Sequence, residues 1–213
     1  MSRRTPPAFA VLCAILAVQG IAAGNAVAGA ARSDGAERIP VTGVRGSLQN
    51  PCWSPTGDRL VLTQWTRGYN AGPANVQLVR ATGGRPIARL SGTGADSVNM
   101  PGTCWNAATD RIAYSADVSG PDSVFLVGPD GSGRERVVQR RRHVTIEPTI
   151  SPRGDWIVFE SSVFDAEGAG SIWKVRSDGT GLTRLTRGED DRQPNWSPSG
   201  DRIVFQRLRG ENC

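Results

Sequence analysis

One phrase is written four times along this chain, and its spacing constrains the fold more than any single residue. It runs Pro51-Cys-Trp-Ser-Pro-Thr-Gly-Asp-Arg-Leu-Val-Leu62, then, in a worn copy, Cys104-Trp-Asn-Ala-Ala-Thr-Asp-Arg-Ile-Ala-Tyr114. The third copy is Pro148-Thr-Ile-Ser-Pro-Arg-Gly-Asp-Trp-Ile-Val-Phe159 and the fourth Pro194-Asn-Trp-Ser-Pro-Ser-Gly-Asp-Arg-Ile-Val-Phe205. Equivalent positions Trp53, Trp105, Ile150 and Trp196 lie 52, 45 and 46 residues apart. A period of that length marks stacked supersecondary units, none of which can bury its apolar surface alone.

Each copy joins a turn to a strand. In Ser54-Pro55-Thr56-Gly57 the proline fixes φ at the second position, the serine bonds the backbone at the first, and glycine suits the fourth. The chemistry recurs at Ser151–Gly154 and Ser197–Gly200. The runs that follow, Leu60-Val-Leu62, Ile157-Val-Phe159 and Ile203-Val-Phe205, are continuously apolar, as in strands covered on both faces. Third strands are expected at Val76–Val79, Val124–Val127 and Ile172–Val175, hairpin turns at Thr82–Gly84, Asp130–Gly133 and Asp178–Gly181, and fourth strands at Pro86–Leu90, Arg136–Val138 and Leu182–Leu185. The expected fold is all-β: a β-propeller of four-stranded antiparallel blades, three complete and the last partial, as an open or truncated ring. The bulky residue two positions after Pro51, Pro148 and Pro194 is expected to wedge between blades.

The pattern Pro-x-Trp-Ser-Pro-x-Gly-x-x-Ile-x-Phe, with Asp178-Gly-Thr-Gly181 and Leu182-Thr-Arg-Leu-Thr186, resembles the TolB-type, WD-repeat-like β-propeller over roughly residues 37–208. Departures are visible. The second copy lacks the Ser-Pro turn, and the family's Asp after that proline is Thr56, Arg153 and Ser199 here. The family's Asp three residues before the first proline of the phrase survives only at Asp191; Leu48 and Thr145 hold the other aligned places.

The N-terminus is a different kind of sequence. Arg3 and Arg4, an apolar stretch from Ala8 to Ala23 and the small-residue site Ala26-Val27-Ala28 read as a signal peptide over 1–28. A short linker (29–36) and the propeller repeats (37–213) follow, and the chain is expected to be exported to the periplasm or secreted, with no stable membrane span once the leader is cleaved. Loss of Arg3 and Arg4 leaves a net charge of +3, which argues against nucleic acid as a partner. In an oxidising compartment Cys52 and Cys104, both just before an anchor tryptophan, are a candidate disulfide, and Cys213 is left over.

Catalytic patterns are thin. The chain has one histidine, His143, beside Arg140-Arg-Arg142, and no Gly-x-Ser-x-Gly elbow or Cys-x-x-Cys pair, so no catalytic residue and no cofactor are assigned. Asp58, Asp110, Asp155 and Asp201 recur once per blade just after a turn, three of them beside Arg59, Arg111 and Arg202, where capping and surface pairing account for them. Glu189, Asp190 and Asp191 offer adjacent carboxylates for a hard cation but lack EF-hand spacing, and no metal is assigned. The basic run ending in Arg140, Arg141, Arg142 and His143, with Asp191, is the candidate partner-binding face, shared with the loops Thr66–Asn75, Asp117–Asp122 and Val163–Gly170.

The resemblance implies an exported, non-catalytic scaffold that binds a protein or envelope partner, with Tol–Pal envelope maintenance the nearest named role. The α/β domain that precedes the TolB propeller has no room in the roughly ten residues between leader and first strand. The rival is a detached substrate-gating propeller of a prolyl-oligopeptidase-like peptidase, or a truncated fragment with no function of its own. Three accounts of the unfinished last blade stay open: a truncated six- or seven-blade ring, pairing of two copies through unpaired strand edges, or a small four-blade ring closed by Ile39–Thr42.

Overall fold

The structure, a computed structural model, describes residues 40–91, 98–99, 104–118, 120–163, 170–187 and 190–208. The leader, the linker, Glu189 and Cys213 lie outside them. The first sheet runs β1 (Ser47–Trp53), β2 (Arg59–Trp65), β3 (Ala74–Arg80) and β4 (Ala88–Arg89) in spatial order, all antiparallel. The second holds β5 (Val98–Asn99) and β6 (Trp105–Asn106) side by side on β7 (Arg111–Ala116), followed by β8 (Ser123–Val127) and β9 (Glu135–Gln139). Its innermost strand is therefore in two pieces, in the copy whose phrase is worn. The third sheet is β10 (His143–Ile150), β11 (Trp156–Val163), β12 (Ser171–Arg176) and β13 (Thr183–Arg184). A last pair, β14 (Asp190–Trp196) and β15 (Ile203–Leu208), stands alone. These are three blades and half of a fourth, an open propeller.

The phrase is a turn with its own cap. Ser54 Oγ donates to Asp58 Oδ1 at 3.0 Å and accepts from the Arg59 N–H at 3.0 Å. Ser151 does the same with Asp155 and Trp156, and Ser197 with Asp201 and Arg202. In the worn copy Asn106 takes over: its Oδ1 accepts from the N–H groups of Ala108 and Thr109, while Asp110 accepts from the Trp105 indole at 2.7 Å. Asp58, Asp155 and Asp201 are thus turn caps, and hydroxyl donation holds the Asp58 and Asp201 carboxyls below the usual range. Before three prolines, Asn50, Glu147 and Gln193 adopt φ of 51°, 55° and 51°, and the ladder slips at each, a repeated β-bulge in the inner strand.

Burial follows the order of the blades. Cys52, Val61, Val76 and Leu78 of the first blade pack on Trp105, Ile112, Tyr114 and Phe125 of the second. Ala113, Val124 and Leu126 of the second meet Ile150, Ile157, Phe159 and Val175 of the third. Trp196 donates its indole N–H to the Thr149 carbonyl of the third blade at 3.2 Å. Each anchor residue therefore leans on the preceding blade, and the wedge role holds for Trp105, Ile150 and Trp196. It fails at Trp53, which is 52% exposed because no blade precedes it among the described residues. Ile39 lies outside the described residues, and the rest of the segment expected to close the ring pairs elsewhere: Thr42 N donates to Gly84 O at 2.9 Å and Gly84 N to Pro40 O at 3.0 Å. Val41 and Val44 thereby cover Leu60, Leu62 and Val79 of the first blade itself.

Candidate binding face

Strand register gathers the connections onto one face. His143 pairs with Val163, Ser161 with Ser171, and Asp190 with Leu208, so the turn before β10, the start of β12 and the start of β14 open on the same side. Asp117 and Asp122 flank the β7–β8 connection there, with Ala116 paired to Ser123.

Of the basic run, Arg141 and Arg142 are exposed, and Arg142 takes a left-handed φ of 59° that turns the chain into β10. With Asp117, Asp122, Gly120 and Pro121 they line an open cleft of about 530 Å³. One wall is acidic and the other basic. Burial, with the Asp117 charge nearby, pushes the Asp122 carboxyl up to about 6, and its Oδ1 is buried without a hydrogen-bond partner among the described residues. Arg140 turns inward instead. Its Cζ sits 3.8 Å from the Trp173 ring centroid, and its Nη1 donates to Ser161 Oγ at 2.9 Å. The Nδ1–H of His143 donates to the Arg141 carbonyl at 2.8 Å, pinning the turn.

The acidic run divides. Asp190 takes Arg192 at 2.6 Å; Asp191 is 0% exposed and takes Arg207 at 2.7 Å, while its N–H donates to Gly170 O. These arginines hold both carboxyls below the usual range. Asp191 is a lock inside the last hairpin and presents no surface. Beneath it Glu160, also buried, accepts from the Gln193 N–H, and desolvation pushes its carboxyl up to about 7. Among the described residues no three His, Cys, Asp or Glu side chains are grouped to hold a metal, and no helix is long and apolar enough to cross a membrane.

The structure also brings Cys52 and Cys104 together, joined through their sulfurs across the first two blades with Cα atoms 6.0 Å apart, inside the range a disulfide needs. Sequence reasoning placed the Asp117–Asp122 loop on this face but missed Trp173 and Arg184 as parts of it. A signal existed for one pair: the Asp178–Gly181 hairpin sets Trp173 opposite Arg184.

A family model for the TolB beta propeller domain matches residues 31–212. The chain belongs to that family. A TolB homolog of Chlorobium luteolum is 30% identical over 152 residues, 71% of this chain and 31% of the relative. The structure of a putative TolB from Agrobacterium tumefaciens superposes with a TM-score of 0.63 at 23% identity, over 83% of this chain and 61% of that one. A puromycin-hydrolyzing peptidase of Mycobacterium tuberculosis superposes with a TM-score of 0.55 at 12% identity, over 82% of this chain and 30% of that one. The two structural likenesses show the fold alone. The chain spans less than a third of the length of the curated relatives it matches.

Proposed function

We propose that this chain is an exported, non-catalytic TolB-like propeller that holds its loop-bearing face against a protein partner of the cell envelope. The observation that carries this reading is the cleft between Asp117 and Asp122 on one side and Arg141 and Arg142 on the other. It offers both signs of charge to an incoming chain, on connections held by rigid blades. Export rests on the leader at 1–28. The test is capture from an envelope extract by the exported chain and by an Arg141→Glu/Arg142→Glu variant. A partner recovered with the first and lost with the second supports the reading; equal recovery removes this face from it.

Export also implies that Cys52 and Cys104 are oxidised, tying the first blade to the second. Peptide mapping without reductant should find the two cysteine peptides joined, whereas free thiols at both positions in exported protein would break that expectation. The peptidase-gate reading draws on the fold likeness to the puromycin-hydrolyzing peptidase. Reading the coding sequence past Cys213 tests it, since a following Gly-x-Ser-x-Gly domain would displace the scaffold reading.

A further inference from the structure

We propose that the cleft between Arg140, Trp173 and Arg184 is an oxyanion subsite that takes the carboxylate of an acidic peptide segment, a proposal that rests on the loop face being a binding face. Two guanidinium groups share one indole here: Arg140 Cζ lies 3.8 Å and Arg184 Cζ 5.9 Å from the Trp173 ring centroid. Both are held by neutral acceptors. Arg140 Nη1 donates to Ser161 Oγ, Arg184 Nη2 to Ser171 Oγ at 2.6 Å, and Arg184 Nε to Thr186 O at 2.7 Å. Among the described residues no carboxylate lies within ion-pair distance of either. Arg59, Arg111, Arg192, Arg202 and Arg207 each have one.

Gathering two like charges is unfavourable unless a negative group completes the set. Arg140 registers the cost, its pKa lowered by burial and by Arg184. The face of the Trp173 indole offsets part of it. The space between these groups and His143 is about 70 Å³ and open to solvent, enough for a terminal charged group to enter. Ser161 has already spent its proton on the Val144 carbonyl at 3.0 Å, so the cleft's strong donors are the two guanidinium forks. Two guanidinium forks offer the paired N–H groups that a carboxylate accepts, and inorganic phosphate is the competitor that the test includes.

The experiment titrates the ¹⁵N-labelled exported chain with a capped triglutamate peptide at low salt, following the indole N–H of Trp173. A saturable shift is expected, with affinity reduced about tenfold or more by Arg140→Ala and by Arg184→Ala, the loss of one charge-assisted contact each. Arg153→Ala, on the opposite face, should leave affinity unchanged. Arg140→Lys and Arg184→Lys keep the charge but lose the fork, and should also weaken binding if the alanine variants fail to fold. The proposal is overturned by absence of a saturable shift, by binding that survives both arginine changes, or by inorganic phosphate binding more tightly than the peptide. It is also overturned if binding appears only in an Asp165→Asn/Glu167→Gln variant, which would mean that the chain's own acidic residues fill the cleft. Envelope capture that persists without peptide binding removes the subsite alone; peptide binding without envelope capture removes the scaffold reading alone.

Discussion

The two ends of the open propeller carry the same phrase and meet opposite fates. At the first blade, the face that lacks a preceding neighbour is covered by the chain's own Val41 and Val44, so Leu60 and Leu62 are 6% and 1% exposed. At the last sheet nothing described covers the far face, and Val204 is 68% exposed. Its equivalents Val61, Ala113 and Val158 are each 0% exposed, because a further blade stands beyond them. The apolar triplet therefore specifies a strand, and its neighbours decide whether that strand is core.

The strongest test of that contrast is in the third blade. Phe159, at 0% exposure between two blades, should cost about 3–5 kcal/mol when changed to Ala. At strictly equivalent positions, Val158→Ala should cost about 2 kcal/mol and Val204→Ala less than about 0.5 kcal/mol. Urea unfolding of the three variants measures this. If Val204→Ala proves as costly as Val158→Ala, the far face of the last sheet is covered in solution and the contrast collapses.

A second test concerns what fastens the last sheet. Glu160 stands where the other copies place Thr63, Ser115 and Gln206, and it reaches across to the Gln193 N–H. Its carboxyl is raised to about 7 by burial. A carboxyl raised on folding contributes stability that is complete below its unfolded pKa of about 4.3, and that contribution is lost as pH rises through the folded value. Glu160→Gln keeps an acceptor for Gln193 and removes the titration. It should be close to wild type at pH 4 and more stable at pH 8 by up to roughly 3–4 kcal/mol. Asp190 and Asp191 act in the opposite sense, losing their stabilisation as pH falls, but they are common to both proteins and cancel in the difference. Equal stability of variant and wild type at both pH values would show that Glu160 is solvated and does not pin the hairpin.

What the sequence made legible was local. The serine–proline turns, their aspartate caps and the order of strands within a blade all follow from residues a few positions apart, and Ser151, bonded to both Asp155 and Trp156, shows how completely. The outer strands were expected longer than β4 and β13, which pair over two residues each. Features that depend on a neighbouring blade stayed hidden. Trp53 and Trp105 sit in matching phrases, yet one is 52% and the other 8% exposed, a difference set by the presence of a preceding blade. In the candidate face, Arg140 was visible as part of a charge run. Its inward turn onto Trp173 was not, because that depends on how the turn at 140–142 meets β12.

The smallest predicted difference separates these two levels within one turn. Gly57 and Gly154 occupy the same place in the phrase, with φ of 73° and 79°, so an alanine at either carries the left-handed cost of about 1 kcal/mol. Around Gly57 an added Cβ would meet nothing within 4 Å, since among the described residues no earlier turn faces that of the first blade. Around Gly154 it would stand 2.3 Å from Thr109 Cγ2 and 3.0 Å from Asn106 Oδ1, against the turn of the second blade. Asn106 cannot easily yield, because its Nδ2 donates to the Ser151 carbonyl at 2.8 Å and its Oδ1 caps its own turn. Gly154→Ala should therefore cost about 1 kcal/mol more than Gly57→Ala in thermal unfolding. Equal costs would mean that the glycine is there for its backbone angle alone, and that the second and third blades meet less closely at their turns than at their cores.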